Sequence, residues 1–246
     1  MEIFHSGRKA GHRCAHACCA AALLFLLPRA VHPQPHTELI PQFFAAAGIH
    51  GTLYTGDTAG RAPSPISFSA AAGLRFPPCT SAAFEPRLAF FVTHMLWDGT
   101  QAQPAEIEHR TAAVYNFLLD LPAVYSITYR GNVFSVGAGV AFLLRGAALA
   151  HGVSETDDGA SANAGTDTER IGEWLWQSGR FVYPELLLSW SHQNDAGLGF
   201  GLDCRMYYPI SPLFTGKTGR HLLDTAMLSV SFRVTFPYIA AGSPES

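Results

Sequence analysis

Charged residues and long apolar runs are both scarce in this chain of 246 residues. Charged residues make up 14% of it, against 48% hydrophobic residues, whereas soluble domains carry roughly 25% charged residues. A membrane-spanning helix is indicated by an apolar stretch of about 18 residues, and no uninterrupted apolar stretch in this chain is that long. A chain this apolar, without such a stretch, fits a closed transmembrane barrel, because only helices and closed barrels satisfy their backbone hydrogen bonds in lipid.

Basic charge is also in short supply. The net charge of the whole chain is −3, and Arg8, Lys9, Arg13 and Arg29 all lie near the N-terminus. Loss of that segment on export would leave the remainder more acidic still. Because nucleic-acid binding requires a basic face, nucleic acid is excluded as a partner.

Cysteine usage predicts neither a disulfide nor a metal site. Three of the five cysteines lie in the N-terminal segment, while Cys79 sits in a proline-flanked turn and Cys204 in the middle of a strand pattern. Two such positions are expected to lie too far apart for a disulfide. His32 and His36 have no accompanying ligands. We expect no metal and no cofactor.

The N-terminus has the pattern of a secretory signal. Arg8, Lys9 and Arg13 precede the apolar stretch "AHACCAAALLFLLP", which is a basic region followed by a short apolar region. We predict a signal peptide over residues 1–34, cleaved between about Ala30 and His36, and a barrel domain over 35–246. The alternative is a cytoplasmic chain with a buried N-terminal helix.

The rest of the chain alternates in polarity. In "TAMLSVSFRVTF", residues 225–236, every second residue is apolar, which predicts a strand with one apolar face. The segments at 43–56 and 110–120 carry apolar residues on both faces, and the second could also form a short helix. Related patterns complete a set of eight predicted strands, at 43–56, 66–76, 84–97, 110–120, 133–145, 183–192, 198–208 and 225–236.

Strand number and connection length together predict the fold. Spanning a bilayer takes about 9–11 tilted residues, and single-chain bacterial barrels have an even number of strands. The first, third, fifth and seventh connections are longer, with 121–131 as an exception. We therefore predict an all-β fold, a single antiparallel up-and-down transmembrane β-barrel of eight strands. Its largest loop is acidic and spans 147–179; "ERIGEWLWQSG" within it predicts one or two helical turns whose tryptophans rest at the membrane interface.

The alternation also predicts which side chains face inward. Opposite the apolar face lies a set of charges of both signs: Arg75, Glu85, Arg87, Arg145, Glu185, Asp203, Arg205 and Arg233. A soluble, lipocalin-like carrier would require the reverse, with apolar residues inside. Isolated charges inside a barrel are costly, so we expect a network of ion pairs that obstructs the pore.

Aromatic residues gather at the strand ends, as in the two girdles of a membrane barrel. One rim is predicted to carry Phe76, Phe84, Trp190, Phe236 and Tyr238. The opposite rim is predicted to carry Tyr54, Trp97 and Tyr208.

With these strands and the closing "LSVSFRVTF", the chain resembles the small eight-stranded outer-membrane proteins, the group that includes the outer-membrane protein A barrel and the outer-membrane protein W family. The final stretch is similar to the assembly signal of such barrels, although "PYIAAGSPES" continues past Phe236. The resemblance implies an outer-membrane location, with membrane lipid and the barrel-assembly machinery as partners. It also implies either a structural or surface-interaction role, with an extracellular ligand bound through the loops, or a narrow, porin-like passage for small hydrophobic solutes.

Two other functions remain as alternatives. The first is an outer-membrane enzyme that modifies lipid, for which "SWSHQND" offers Ser189, Ser191, His192 and Asp195. Adjacent strand residues point to opposite faces, so Ser191 and His192 cannot meet, and we expect no catalytic residues. The second alternative is the soluble periplasmic carrier.

Overall fold

A computed structural model describes residues 41–53, 66–77, 81–150, 163–194, 198–210 and 226–237. The predicted signal peptide over 1–34 lies outside these ranges, as do Cys79, Tyr54 and Tyr238. Residues Leu39–Ser246 belong to one compact unit. No helix among the described residues has the length and apolar character needed to cross a bilayer.

Within these ranges the chain forms ten β-strands, one α-helix (α1) and one short 3-10 helix. The helix α1 spans Ala164–Trp176 and the 3-10 helix spans Ile107–His109. The strands are β1 Gln42–Thr52, β2 Ile66–Arg75, β3 Ala82–Phe84, β4 Arg87–Trp97, β5 Ala102–Pro104, β6 Ala112–Tyr129, β7 Asn132–Leu149, β8 Val182–Gln193, β9 Gly199–Tyr207 and β10 Met227–Thr235.

The strands close into one antiparallel barrel with an eight-stranded wall. β10 pairs with β1, which joins the last strand to the first. β3 and β4 both pair with β6 and form a single wall strand that is interrupted at Glu85 and Pro86. β5 is a short addition to the edge of β4. The predicted eight-stranded up-and-down barrel is confirmed.

The wall has a short-turn end and a long-connection end. At the short-turn end the connections are 76–81, 130–131 and 194–198; at the long-connection end they are 53–65, 98–111, 150–181 and 208–226. The predicted connection 121–131 is wrong, because β6 continues to Tyr129. Arg130 and Gly131 alone make the turn, with φ angles of 50° and 76°, and two central residues of positive φ are typical of a two-residue β-hairpin.

β6 is longer than predicted because the strand continues through a proline. Pro122 lies in the middle of the strand, where a missing N–H normally removes a ladder hydrogen bond. Here the carbonyl oxygen of Pro122 accepts a hydrogen bond from the Glu85 N–H at 3.1 Å. The backbone nitrogen of Pro122, which has no N–H to donate, therefore faces the interruption between β3 and β4. The strand therefore passes through Pro122, and residues 112–120 of the predicted segment 110–120 are strand rather than helix.

The large predicted loop is more ordered than its composition indicates. β7 extends to Leu149, and α1 is a helix of 13 residues rather than one or two turns. The prediction that its tryptophans rest at the membrane interface misses the main contact, which is made by Ile171 and Leu175. These two side chains are buried against inward-facing residues of β4 and β6. The acidic stretch 154–162 lies outside the described residues.

Wall strands keep the predicted inside–outside alternation. On β9, Asp203 and Arg205 are fully buried, whereas Leu202, which precedes Asp203, is 51% exposed. On β8, Glu185 is buried while Leu186 and Leu188 are 58% and 64% exposed. The barrel therefore presents an apolar surface outward and encloses charge.

Candidate functional site: the barrel interior

Glu85 is the centre of the charged interior. Its carboxylate accepts hydrogen bonds from Arg233 at 2.5 and 3.2 Å and from Arg75 at 3.0 Å. Arg205 approaches the same carboxylate at 3.4 Å. Glu85 lies in the interruption between β3 and β4, and its side chain has zero exposure. One acid thus joins arginines from β2, β9 and β10.

Arg205 is a second centre, and it is surrounded by acids. Its guanidinium donates to Glu185 at 2.5 Å, lies 3.5 Å from Asp203 and lies 3.6 Å from Asp120. Asp203 in turn accepts a hydrogen bond from the Ser189 hydroxyl at 2.7 Å. These contacts connect β6, β8 and β9 across the interior.

A third group extends the network toward β4. Arg87 donates to Asp120 at 2.6 Å and to the Tyr207 hydroxyl at 2.7 Å, and that hydroxyl donates to Asp120 at 3.2 Å. The Arg233 guanidinium also lies 3.7 Å above the ring of Phe44, a cation–π contact.

The network is balanced in charge: four arginines face four carboxylates. With one exception their side chains are at most 4% exposed, and Arg75 is 16% exposed. Buried charges are tolerated only when they are paired and hydrogen-bonded. The arrangement meets the pairing requirement, because Arg75, Arg87, Arg205 and Arg233 each contact at least one acid.

The structure brings together nearly all the inward charges expected from the sequence. Seven of them, Arg75, Glu85, Arg87, Glu185, Asp203, Arg205 and Arg233, meet in this network. Arg145 lies apart and donates to the Tyr183 hydroxyl at 2.8 Å and to the Arg180 carbonyl at 2.5 Å.

Sequence reasoning missed Asp120 and Tyr207. Asp120 ends a predicted strand that carries apolar residues on both faces, so the pattern assigns its side chain no direction. Tyr207 falls on the inward register of β9, but it carries no charge and is therefore not among the predicted inward charges. An extended β6 would have placed Asp120 inside, in line with Asn116, which is also buried.

Above the network, toward the long-connection end, a cluster of apolar side chains lies in the interior beside the buried polar residues His50, Thr93 and Asn116. Phe91, Leu118, Leu143, Tyr183 and other buried residues form one cluster. His50 stacks on Phe91, with ring centroids 3.9 Å apart. Apolar packing therefore continues where the ion pairs end.

Helix α1 forms the next layer. Ile171 and Leu175 pack against Met95, Ala112 and Val114, whose side chains face inward from β4 and β6. Trp97, a predicted girdle residue, is partly buried against this same cluster. The inner face of the wall is thus covered by the helix at the long-connection end.

The remaining predicted girdle residues have mixed environments. At the short-turn end Phe84, Trp190 and Phe236 are 40–44% exposed, and Phe236 packs on Phe43 with centroids 5.4 Å apart. Phe76 is half-buried and forms a backbone bridge with Phe84. At the other end Tyr208 is half-buried.

The wall has an opening between β2 and β4. Their ladder runs only over Ser69–Gly73 and Arg87–Phe91, although β2 begins at Ile66 and β4 continues to Trp97. Beyond the ladder lies a cavity of about 610 Å³. It is lined by outward residues such as Phe68 and Phe90, by inward residues such as Ser67 and Phe91, and by Glu106 and Ile107 above.

No catalytic or metal constellation is found in the described part of the chain. Ser189 is engaged with Asp203, and His192 is exposed on the outward register of β8, whereas Ser189 and Ser191 lie on the inward register. Within the described ranges, no group of three or more His, Cys, Asp or Glu side chains is arranged to hold a metal ion.

Similarity to known proteins is found among solved structures; no family model and no curated protein matches the chain. Neisserial surface protein A is 11% identical with a TM-score of 0.47, over 80% of this chain and 97% of that chain. The outer membrane enzyme PagL is 11% identical with a TM-score of 0.36, over 80% and 99%. The chain is likewise similar to the outer membrane protein OprG from Pseudomonas aeruginosa, at 10% identity and a TM-score of 0.46 over 80% of this chain and 96% of that chain.

Proposed function

We propose that this protein is an integral outer-membrane β-barrel whose interior is closed to water and ions along its axis. The outward surface supports the membrane location. Soluble proteins rarely expose a contiguous apolar patch of more than a few hundred Å², yet exposed apolar residues occur on all the long wall strands. The charged interior opposes the soluble-carrier alternative, because a lipocalin-like cavity is apolar.

The connection lengths support one orientation. Outer-membrane barrels have short periplasmic turns and longer extracellular loops. The short-turn end, with Arg130 and Gly131, is therefore the periplasmic end in our proposal. The long-connection end, with α1, faces the exterior and carries any surface-interaction role.

The layered interior carries the proposal of a closed barrel. An eight-stranded barrel is only wide enough for its own side chains to fill. Here the side chains form ion pairs as short as 2.5 Å, then an apolar cluster, and finally the contacts of α1. A permeating ion would have to break charge pairs and then cross an apolar layer.

Ion conductance of the refolded barrel in a planar bilayer tests this proposal. We expect no steady conductance from the wild-type chain. Glu185→Ala and Arg233→Ala each remove one side of a 2.5 Å ion pair and are expected to raise conductance. Arg170→Ala, on the exposed side of α1, is the control and should stay closed. A stable open channel in the wild type would contradict the proposal.

A second candidate function is a lateral passage for small hydrophobic solutes. It is favoured by the incomplete β2–β4 ladder, where the cavity reaches the inward-facing Phe91 from the outer surface. Such a route bypasses the charge network, because it enters the wall above Arg87. The largely apolar lining, with Phe68, Phe90 and Ile107, suits a solute that partitions into lipid.

Locking the opening tests this second candidate. A continued ladder would place Phe68 opposite Val92, one pair beyond Ser69 and Phe91. We expect the double variant Phe68→Cys/Val92→Cys, made without Cys79 and Cys204, to lose uptake of a small apolar solute into vesicles when oxidised and to regain it when reduced. Cysteines at Ser69 and Phe91, already paired in the ladder, provide the control. Uptake that ignores oxidation would rule this route out.

The enzyme alternative has less support. A nucleophile and its base must lie within hydrogen-bond reach, and His192 is on the opposite face of β8 from Ser189 and Ser191. We therefore propose a non-enzymatic role.

A further inference from the structure

The outer wall carries an apolar groove near the short-turn end. One rim runs from Tyr125 on β6 to Val230 on β10, and the other runs from Ile127 on β6 to Leu202 on β9. The groove has a volume of about 590 Å³. Its floor has no outward side chain, because it is made by residues whose side chains point inward: Ser135, Ser189 and Asp203.

The rims follow the strand register, which explains the shape of the groove. Phe134 pairs with Trp190, and Trp190 pairs with Leu202, so large outward side chains stand side by side across neighbouring strands. Adjacent strands lie about 4.8 Å apart, so a groove that crosses five strands is roughly 19 Å long. Its length and apolar lining suit an extended acyl chain.

An arginine, Arg130, lies beside this groove. Arg130 forms the β6–β7 turn, and its guanidinium lies 5.1 Å from the Tyr129 ring centroid. Of the arginines in the described ranges, Arg130 alone donates no side-chain hydrogen bond and contacts no carboxylate. The interior arginines all donate side-chain hydrogen bonds, whereas this one is available to an external anion.

Specific contacts connect the cation to the groove. The Trp190 indole N–H donates to the Asn132 side-chain oxygen at 3.3 Å, and the Asn132 amide donates to the Arg130 carbonyl at 3.3 Å. His192, which pairs with Asn132 in the ladder, is exposed on the same outward register. One rim of the groove therefore leads directly to a site with an arginine and a histidine.

We propose that this surface binds an anionic glycerophospholipid of the periplasmic leaflet. One acyl chain occupies the groove, and the phosphate lies against Arg130 with His192 beside it. Arginine binds phosphate through several N–H donors in a fixed geometry, and aromatic residues such as Trp190 and Tyr129 belong at the interface. This inference rests on the proposed membrane location and orientation.

Fluorescence quenching of Trp190 provides the test. In a chain with Trp97, Trp174 and Trp176 changed to Phe, Trp190 is the only tryptophan left. The refolded barrel is placed in bilayers that contain phospholipid brominated on its acyl chains, with either an anionic or a zwitterionic headgroup. We expect half-quenching at an about fivefold lower fraction of the anionic lipid, which corresponds to about 1 kcal/mol for one arginine near the membrane surface.

Matched variants assign the preference to this site. Arg130→Gln should bring the two quenching curves together, Arg130→Lys should keep much of the difference, and Arg170→Gln at the other end should leave it intact. A variant with its single tryptophan at the outward-facing position 49 instead of position 190 should give equal quenching curves for the anionic and the zwitterionic lipid. Equal curves at Trp190, or a preference that survives Arg130→Gln, would overturn the phospholipid site but leave the membrane barrel standing. Absence of quenching by either lipid would overturn both.

Discussion

The two sides of the barrel wall differ in height. β6 and β7 each have 18 residues, whereas β9 and β10 each have 9. Spanning a bilayer takes about 9–11 strand residues, so the short wall has the length that the proposed membrane location requires and the tall wall exceeds it. Much of the excess lies at the long-connection end, where residues 143–149 of β7 rise beyond β8 and α1 covers the inner face of the tall wall. With the proposed membrane location, strand length in this barrel reflects two contacts, one with the bilayer and one with α1.

The two walls are joined by the interior ion pairs. Asp120 belongs to the tall wall, Arg205 and Arg233 belong to the short wall, and Glu85 bridges to both arginines. The largest expected effect comes from removing that bridge. We expect Glu85→Gln to lower the free energy of unfolding by about 3–5 kcal/mol, because it leaves arginines uncompensated in a buried site.

Urea titration of the refolded barrel, followed by tryptophan fluorescence, measures this loss. Glu173→Gln, on the exposed face of α1, is the matched control and should change stability by less than about 0.5 kcal/mol. Equal effects of the two variants would mean that the walls do not depend on the network.

The second effect should be confined to the tall wall. Ile171→Ala removes a fully buried side chain from the α1 contact, and such truncations cost about 2–5 kcal/mol. Because the short wall does not contact this cluster, we expect faster hydrogen exchange in β7 residues 143–149 and unchanged exchange in β9. Glu169→Ala, exposed on the same helix, should leave both unchanged; uniform loss of protection in the two walls would contradict the local role of α1.

The smallest effect concerns the turn that ends the tall wall. Gly131 has a φ of 76°, and a side chain in the left-handed region costs about 1–2 kcal/mol. Gly131→Ala should therefore lower the unfolding free energy by about that amount. Gly146→Ala is the control on the same hairpin, because a Cβ there meets nothing within 4 Å. A neutral Gly131→Ala would show that the turn adapts.

Alternation of polarity predicted the wall because the outward and inward residues of each strand lie in different environments. Outward positions such as Leu202 and inward positions such as Arg205 differ so strongly that strand and direction follow together. The same logic located most of the charged interior. It failed for Asp120, because β6 is apolar on both faces: its inner side chains pack on α1 and the apolar cluster as well as on ions.

Features that depend on long-range contacts were not predictable. The hydrogen bond between Pro122 and Glu85 at the interruption joins parts of the chain that are distant in sequence, so no local pattern shows that the strand continues past residue 120. The place of α1 depends on Met95 and Val114, which a strand pattern describes only as inward. A helical period in residues 169–179 indicated a helix but not the surface that buries it.

Charge balance in the interior makes the order of events during assembly matter. Arg233 is the last of the eight network residues in the sequence, and it is delivered by β10, the strand that closes the barrel on β1. Until β10 is in place, three arginines face four acids, and the nascent interior carries an excess negative charge that favours hydration. Seating of the final strand brings in Arg233 and balances the charge of the interior. Closure is thus coupled to charge neutralisation, and we expect Arg233→Ala to close into a barrel more slowly than the wild-type chain.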